Sequence, residues 1–80
     1  MKLPRDLSGK TLARKLGKYD FIVTRQTGSH LRLSTQLKGE YHITIPKHNI
    51  LRIGTLNQIL KDVSEHLDMD KEELVKELFG

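Results

Sequence analysis

The chain has 80 residues, with 14 Lys/Arg, 10 Asp/Glu, a net charge of +4 and no cysteine. That length predicts one domain over residues 1–80, able to bury only about 60% of its unfolded surface. The absence of cysteine excludes disulfides, a thiol nucleophile and any Cys-based zinc site. The opening Met1–Asp6 has no apolar leader, and no run reaches the ~18 apolar residues of a membrane span, so a cytoplasmic protein with no membrane partner is expected.

Charge is segregated along the chain. Residues 1–61 carry twelve Lys/Arg and three Asp/Glu, whereas residues 62–80 carry two and seven. A basic body suits a polyanion such as nucleic acid. The plainer alternative, solubilising charge, is usually mixed along a chain.

Ser8 is an N-cap residue, and Leu7 with Leu12 has the spacing of a hydrophobic staple. Leu12, Ala13 and Leu16 share one helical face, which predicts a helix over about 9–18. Gly17 ends or weakens its last turn, and Asp20 can take a left-handed conformation on the way out. Phe21–Arg25 is β-branched and aromatic, a first strand. Gly28 can supply the positive φ of a hairpin turn, and Ser29 is a turn former. His30–Ser34 alternates, with Leu31 and Leu33 on one face and His30, Arg32 and Ser34 on the other. After a turn at Lys38-Gly39-Glu40, Tyr41, Ile43 and Ile45 face inward, His42 and Thr44 face outward, and Pro46 stops the third strand.

Residues 46–54 form a basic loop. Thr55 with Gln58 reads as a capping box, and Ile53 with Ile59 as a second staple. Leu56, Ile59, Leu60 and Val63 form the best amphipathic pattern in the chain. Asp70 with Glu73 is another capping box, opening a last helix over about 71–79. The predicted fold is therefore α+β: α-β-β-β-α, a three-stranded antiparallel sheet with helices on one face, and a short acidic C-terminal helix within residues 62–80. The double-stranded-RNA-binding domain has this order, and it reads RNA through shape, 2′-hydroxyls and phosphates.

Three blocks, read together, carry a resemblance. They are Arg25-Gln26-Thr27-Gly28-Ser29-His30, His42-Ile43-Thr44-Ile45-Pro46 with His48, and Leu51-Arg52-Ile53-Gly54-Thr55-Leu56 leading to Ile59-Leu60. In this order and spacing they resemble the HicA toxin family of toxin–antitoxin modules, over residues 3–65. The resemblance implies a small mRNA interferase with a double-stranded-RNA-binding-like fold. It also implies a catalytic histidine at His30 and a HicB-type antitoxin that covers the active site. Two positions depart from the family pattern: Leu31 stands where many members have a second histidine, and Asp20 where many have glycine.

His30 is the candidate catalytic residue. An imidazole titrates near neutral pH and can deprotonate a ribose 2′-hydroxyl or protonate the leaving 5′-oxygen. The plainer reading is a surface histidine after an ordinary turn. Arg25 and Arg32 flank the hairpin mouth, where their guanidinium forks match phosphate oxygens; cross-strand solubilising charge is the alternative. Gly28 and Ser29 belong to the same candidate RNA contact, with Ser29 a turn former and not a nucleophile. His42 shares the face of His30 and is the candidate second proton carrier, or else a structural surface histidine. Lys47, His48 and Arg52 lie before the second helix, whose N-terminus offers free N–H groups to phosphate. No metal or other cofactor is expected. RNA and the antitoxin are the expected partners, in a homodimer or a toxin–antitoxin hetero-oligomer. Two other classes stay open: a non-catalytic double-stranded-RNA-binding module, and a protein-interaction domain.

Overall fold

A computed structural model describes residues 3–80. Helix α1 (Gly9–Leu16) begins at Ser8, whose hydroxyl accepts a hydrogen bond from the Thr11 N–H (3.1 Å). Its first residue, Gly9, is buried, and a methyl group there would collide with the Pro46 carbonyl oxygen. Leu12, Ala13 and Leu16 point into the core. The helix ends two residues before the expected 18, because Gly17–Tyr19 tightens into a 3-10 turn. Asp20 then adopts the left-handed conformation (φ 65°), as its short polar side chain allows.

Strands β1 (Ile22–Gln26), β2 (His30–Thr35) and β3 (Tyr41–Pro46) form an antiparallel sheet in the order β1-β2-β3. In the β2–β3 register, Leu31 faces Ile45, Leu33 faces Ile43 and Thr35 faces Tyr41; these pairs lie on the helix-covered side. His30–Pro46, Arg32–Thr44 and Ser34–His42 are the pairs of the open side. The alternation expected from the sequence therefore holds on β2 and β3. On β1, for which the sequence assigned no faces, the register slips by one residue between Val23 and Arg25. Thr24 is the extra residue of a β-bulge.

Between β3 and the next helix the chain is pinned to the start of α1. The Gly9 N–H donates to the His48 carbonyl (3.0 Å), and the Leu51 N–H donates to the Leu7 carbonyl (2.7 Å). Leu51 is buried. This anchoring fixes where helix α2 (Ile53–His66) begins, with its cap three residues ahead of the expected Thr55. Arg52, extended at φ −65° and ψ 143°, holds the N-cap position without a side-chain cap bond. Thr55 lies inside the first turn, and Gln58 bonds Asp62 (2.9 Å) instead of reaching back. Ile53 is 47% exposed, so no staple with Ile59 forms.

Asp68 ends the α2 segment in a left-handed conformation (φ 56°). The Met69 N–H reaches the Ser64 carbonyl and the Asp68 N–H the Glu65 carbonyl, a Schellman closure. Helix α3 (Lys71–Phe79) follows over the expected span, but Asp70 makes no side-chain cap bond. Lys71 instead donates to the Asn57 side chain on α2. Leu74, Val75 and Leu78 of α3 join one core cluster with Leu12, Leu16, Leu33, Ile45, Leu56, Leu60 and Val63. Tyr41 stacks on His66 (4.3 Å between ring centroids), and His66 Nε2 donates to the Leu37 carbonyl (2.9 Å). An ion pair between Lys18 and Glu77 (2.8 Å) ties the 3-10 turn to α3. Hydrogen bonding within this pair raises the Lys18 pKa and lowers that of Glu77.

Candidate active site

The β1–β2 turn is built by Thr27 and not by a left-handed glycine. Among the glycines only Gly39 has positive φ, so the positive φ expected at Gly28 is absent. The Thr27 N–H donates to the His30 carbonyl (3.0 Å), and its hydroxyl accepts from the His30 N–H (3.1 Å) and the Ser29 N–H (3.4 Å). A threonine hydroxyl standing in for a backbone carbonyl closes the turn without any need for αL. This was legible in principle, since Thr27 precedes the Gly-Ser pair.

The turn leaves His30 exposed at the start of β2. Ser29 Oγ meets His30 Nδ1 at 2.9 Å. That contact, not expected from the sequence, orients the ring. A proton on Nδ1 donated to Ser29 Oγ leaves Nε2 as the atom that faces outward for proton transfer. Nε2 has no protein partner among the described residues.

Arg32 lies two residues along β2 from His30, on the same face, about 7 Å further on. The β1 bulge places Arg25 directly opposite Arg32. No carboxylate among the described residues forms an ion pair with either guanidinium. On the other side of the turn, the Lys47 N–H donates to the Ser29 carbonyl (2.8 Å) and continues the β2–β3 ladder past Pro46. Thus Arg25, Gly28, Ser29, His30 and Arg32 share one end of the sheet, and the basic loop begins beside it.

His42 is not brought to His30. It pairs with Ser34, four residues from His30 along β2, a separation of about 13 Å. Its Nε2 meets Glu40 at 2.9 Å and its Nδ1 meets Ser34 Oγ. It is therefore not a second proton carrier for a bond held at His30. His48 and Arg52 stand further along the loop toward α2. There the N–H groups of Ile53, Gly54 and Thr55 meet no protein acceptor among the described residues, because Arg52 offers no cap. No group of three or more His, Asp or Glu side chains converges as a metal-ligand set among the described residues.

A helix, an antiparallel three-stranded meander and a second helix, with an uncompensated basic end around an exposed histidine, define an α+β domain of the double-stranded-RNA-binding type. The family model described as the HicA toxin of bacterial toxin-antitoxin matches residues 9–64, most of the chain. The chain belongs to that family. No curated protein and no solved structure matches it. Among the described residues, no helix is long and apolar enough to cross a membrane.

Proposed function

We propose that the chain is a metal-independent endoribonuclease that cleaves mRNA in the cytoplasm, with His30 as general acid/base. The observation that carries this reading is the exposed His30 ring, held at Nδ1 by Ser29 with Nε2 open, two residues along β2 from the Arg25–Arg32 pair. In the reaction the ribose 2′-oxygen attacks the adjacent phosphorus and the 5′-oxygen leaves, giving a 2′,3′-cyclic phosphate. His30 Nε2 takes the 2′-hydroxyl proton, or in its protonated form delivers one to the 5′-oxygen. Water carries the other proton, since His42 lies too far away. Arg25 and Arg32 hold the phosphate and offset the charge that builds on its oxygens. Lys47, His48, Arg52 and the open start of α2 contact neighbouring phosphates, and Gly28 lets the strand approach the turn. A HicB-type antitoxin, presenting carboxylates, neutralises the toxin by covering the same face.

The test is cleavage of single-stranded RNA in EDTA by the wild-type chain and by His30→Ala, with folding checked by circular dichroism. Loss of a general acid/base should lower the rate by about 10²–10⁴-fold. Equal cleavage by both proteins removes His30 from the chemistry. Retained RNA binding without cleavage by either protein makes the chain a binding module.

A further inference from the structure

Hydrogen bonds join four side chains on the open face into a chain that crosses the sheet. The Glu40 carboxylate meets His42 Nε2 (2.9 Å), and His42 Nδ1 meets Ser34 Oγ. Ser34 Oγ meets Thr24 Oγ1 (3.3 Å), which donates to the Arg32 carbonyl oxygen (3.3 Å). Carboxylate, imidazole and serine in that order have the connectivity of orienter, base and nucleophile. Two things a nucleophile needs are missing. Ser34 sits mid-strand with partners on both sides, so its surroundings offer no free amides to an oxyanion. Its side chain is also nearly buried.

The chain ends instead on the bulge. Thr24 is the residue that β1 has in excess, and both hydrogen bonds of its hydroxyl lie within this network. The bulge sets the facing of everything after it in β1. It turns Arg25 out beside Arg32, and places Gln26 opposite Leu31 on the helix-covered side, where, still exposed, it lines an open surface pocket with Lys10, Phe21 and Leu31. Under strict alternation Arg25 would lie opposite Leu31, on the helix-covered side. Like charges directly opposite each other in a sheet are unfavourable, so the network holds an arrangement that the two arginines alone would not choose.

We propose that Thr24, Ser34 and His42 are positioning residues that lock the β1 bulge and so present Arg25 and Arg32 as a joint seat for one RNA phosphate. The proposal rests on the RNA-cleaving reading above. It is tested on the full chain carrying His30→Ala, so that RNA stays intact. Thr24→Val removes the hydroxyl and keeps the shape; Thr24→Ser restores the hydroxyl; Arg25→Ala removes the guanidinium. Cross-strand nuclear Overhauser effects between Arg25 and Arg32 report the register. Fluorescence anisotropy with a labelled single-stranded oligoribonucleotide reports affinity.

Thr24→Val should lose the Arg25–Arg32 cross-peaks and weaken RNA binding by about tenfold, whereas Thr24→Ser keeps both. Added to Arg25→Ala, Thr24→Val should cost nothing further, because it acts through Arg25. An unchanged register, or losses that add in the double variant, overturns the proposal. If Thr24→Val does not fold, Ser34→Ala breaks the network one step earlier and must show the same non-additivity with Arg25→Ala. If the register shifts but the starting protein binds no RNA, the RNA reading falls while the placement of Arg25 by Thr24 stands.

Discussion

Gly9 and Gly28 have opposite surroundings. Gly9 is buried under the Pro46 carbonyl, with its own N–H held by His48, whereas a methyl group at Gly28 would meet nothing and the backbone there is not left-handed. Gly9→Ala should therefore destabilise by about 1–3 kcal/mol through overpacking. Gly28→Ala should leave stability unchanged or raise it by up to about 1 kcal/mol, because it restricts only the unfolded chain. Urea unfolding of both variants checks this. A large loss at Gly28 would mean that the turn uses a conformation only glycine reaches. If Gly28→Ala folds well yet cuts RNA poorly, the missing side chain serves ligand approach. At this scale the sequence exposed His30, Arg32 and the alternating core positions, since a period of two assigns faces without tertiary information. It hid Gly9, because close approach between residues 9 and 46 has no local signature. It also hid the Ser29–His30 contact, which depends on a turn closed by Thr27.

Helix α2 starts without a cap, at a residue whose backbone already has cap geometry. Arg52 has the extended φ and ψ of an N-cap but no oxygen to offer the first-turn amides. Arg52→Ser should supply that acceptor and stabilise the chain by about 0.5–1 kcal/mol. The same change removes a cation from the candidate phosphate path and should weaken RNA binding, more so at low salt. Thermal unfolding beside a salt titration of affinity separates the two effects. A variant that gained stability with no loss of RNA affinity would take Arg52 out of the interface. The start of α2 was misread because Thr55 and Gln58 have capping-box spacing, while the decisive constraint is the burial of Leu51 and its bond to Leu7. The β1 bulge escaped for a related reason. Phe21–Arg25 reads as an ordinary strand, and the extra residue shows only in the register with β2. Asp20 was legible, because Asp tolerates αL through its short polar side chain.

The whole molecule divides by charge into a basic body and an acidic end, and the family match stops at residue 64, before α3. Read from sequence, α3 is a short acidic helix appended to the fold, with Leu74, Val75 and Leu78 as its apolar residues. Packing assigns it a larger part. Leu74 is wholly buried, Val75 and Leu78 nearly so, and Lys18 reaches across to Glu77. Burying a Leu or Val side chain contributes about 1.5–3 kcal/mol, so three together contribute about 4.5–9 kcal/mol. That is comparable with the total stability of about 4–12 kcal/mol expected for a domain of this size. The exposed Lys18–Glu77 pair adds little in water. A chain ending at Asp70 would also uncover the surface of α2 that these three side chains cover. Such a truncation should lose its cooperative thermal transition, followed by circular dichroism at 222 nm (a helix-sensitive wavelength), and with it RNA cleavage. A truncated chain melting cooperatively within a few degrees of the full chain would show that the core closes without α3, leaving the acidic helix a role in tuning the charge of the surface.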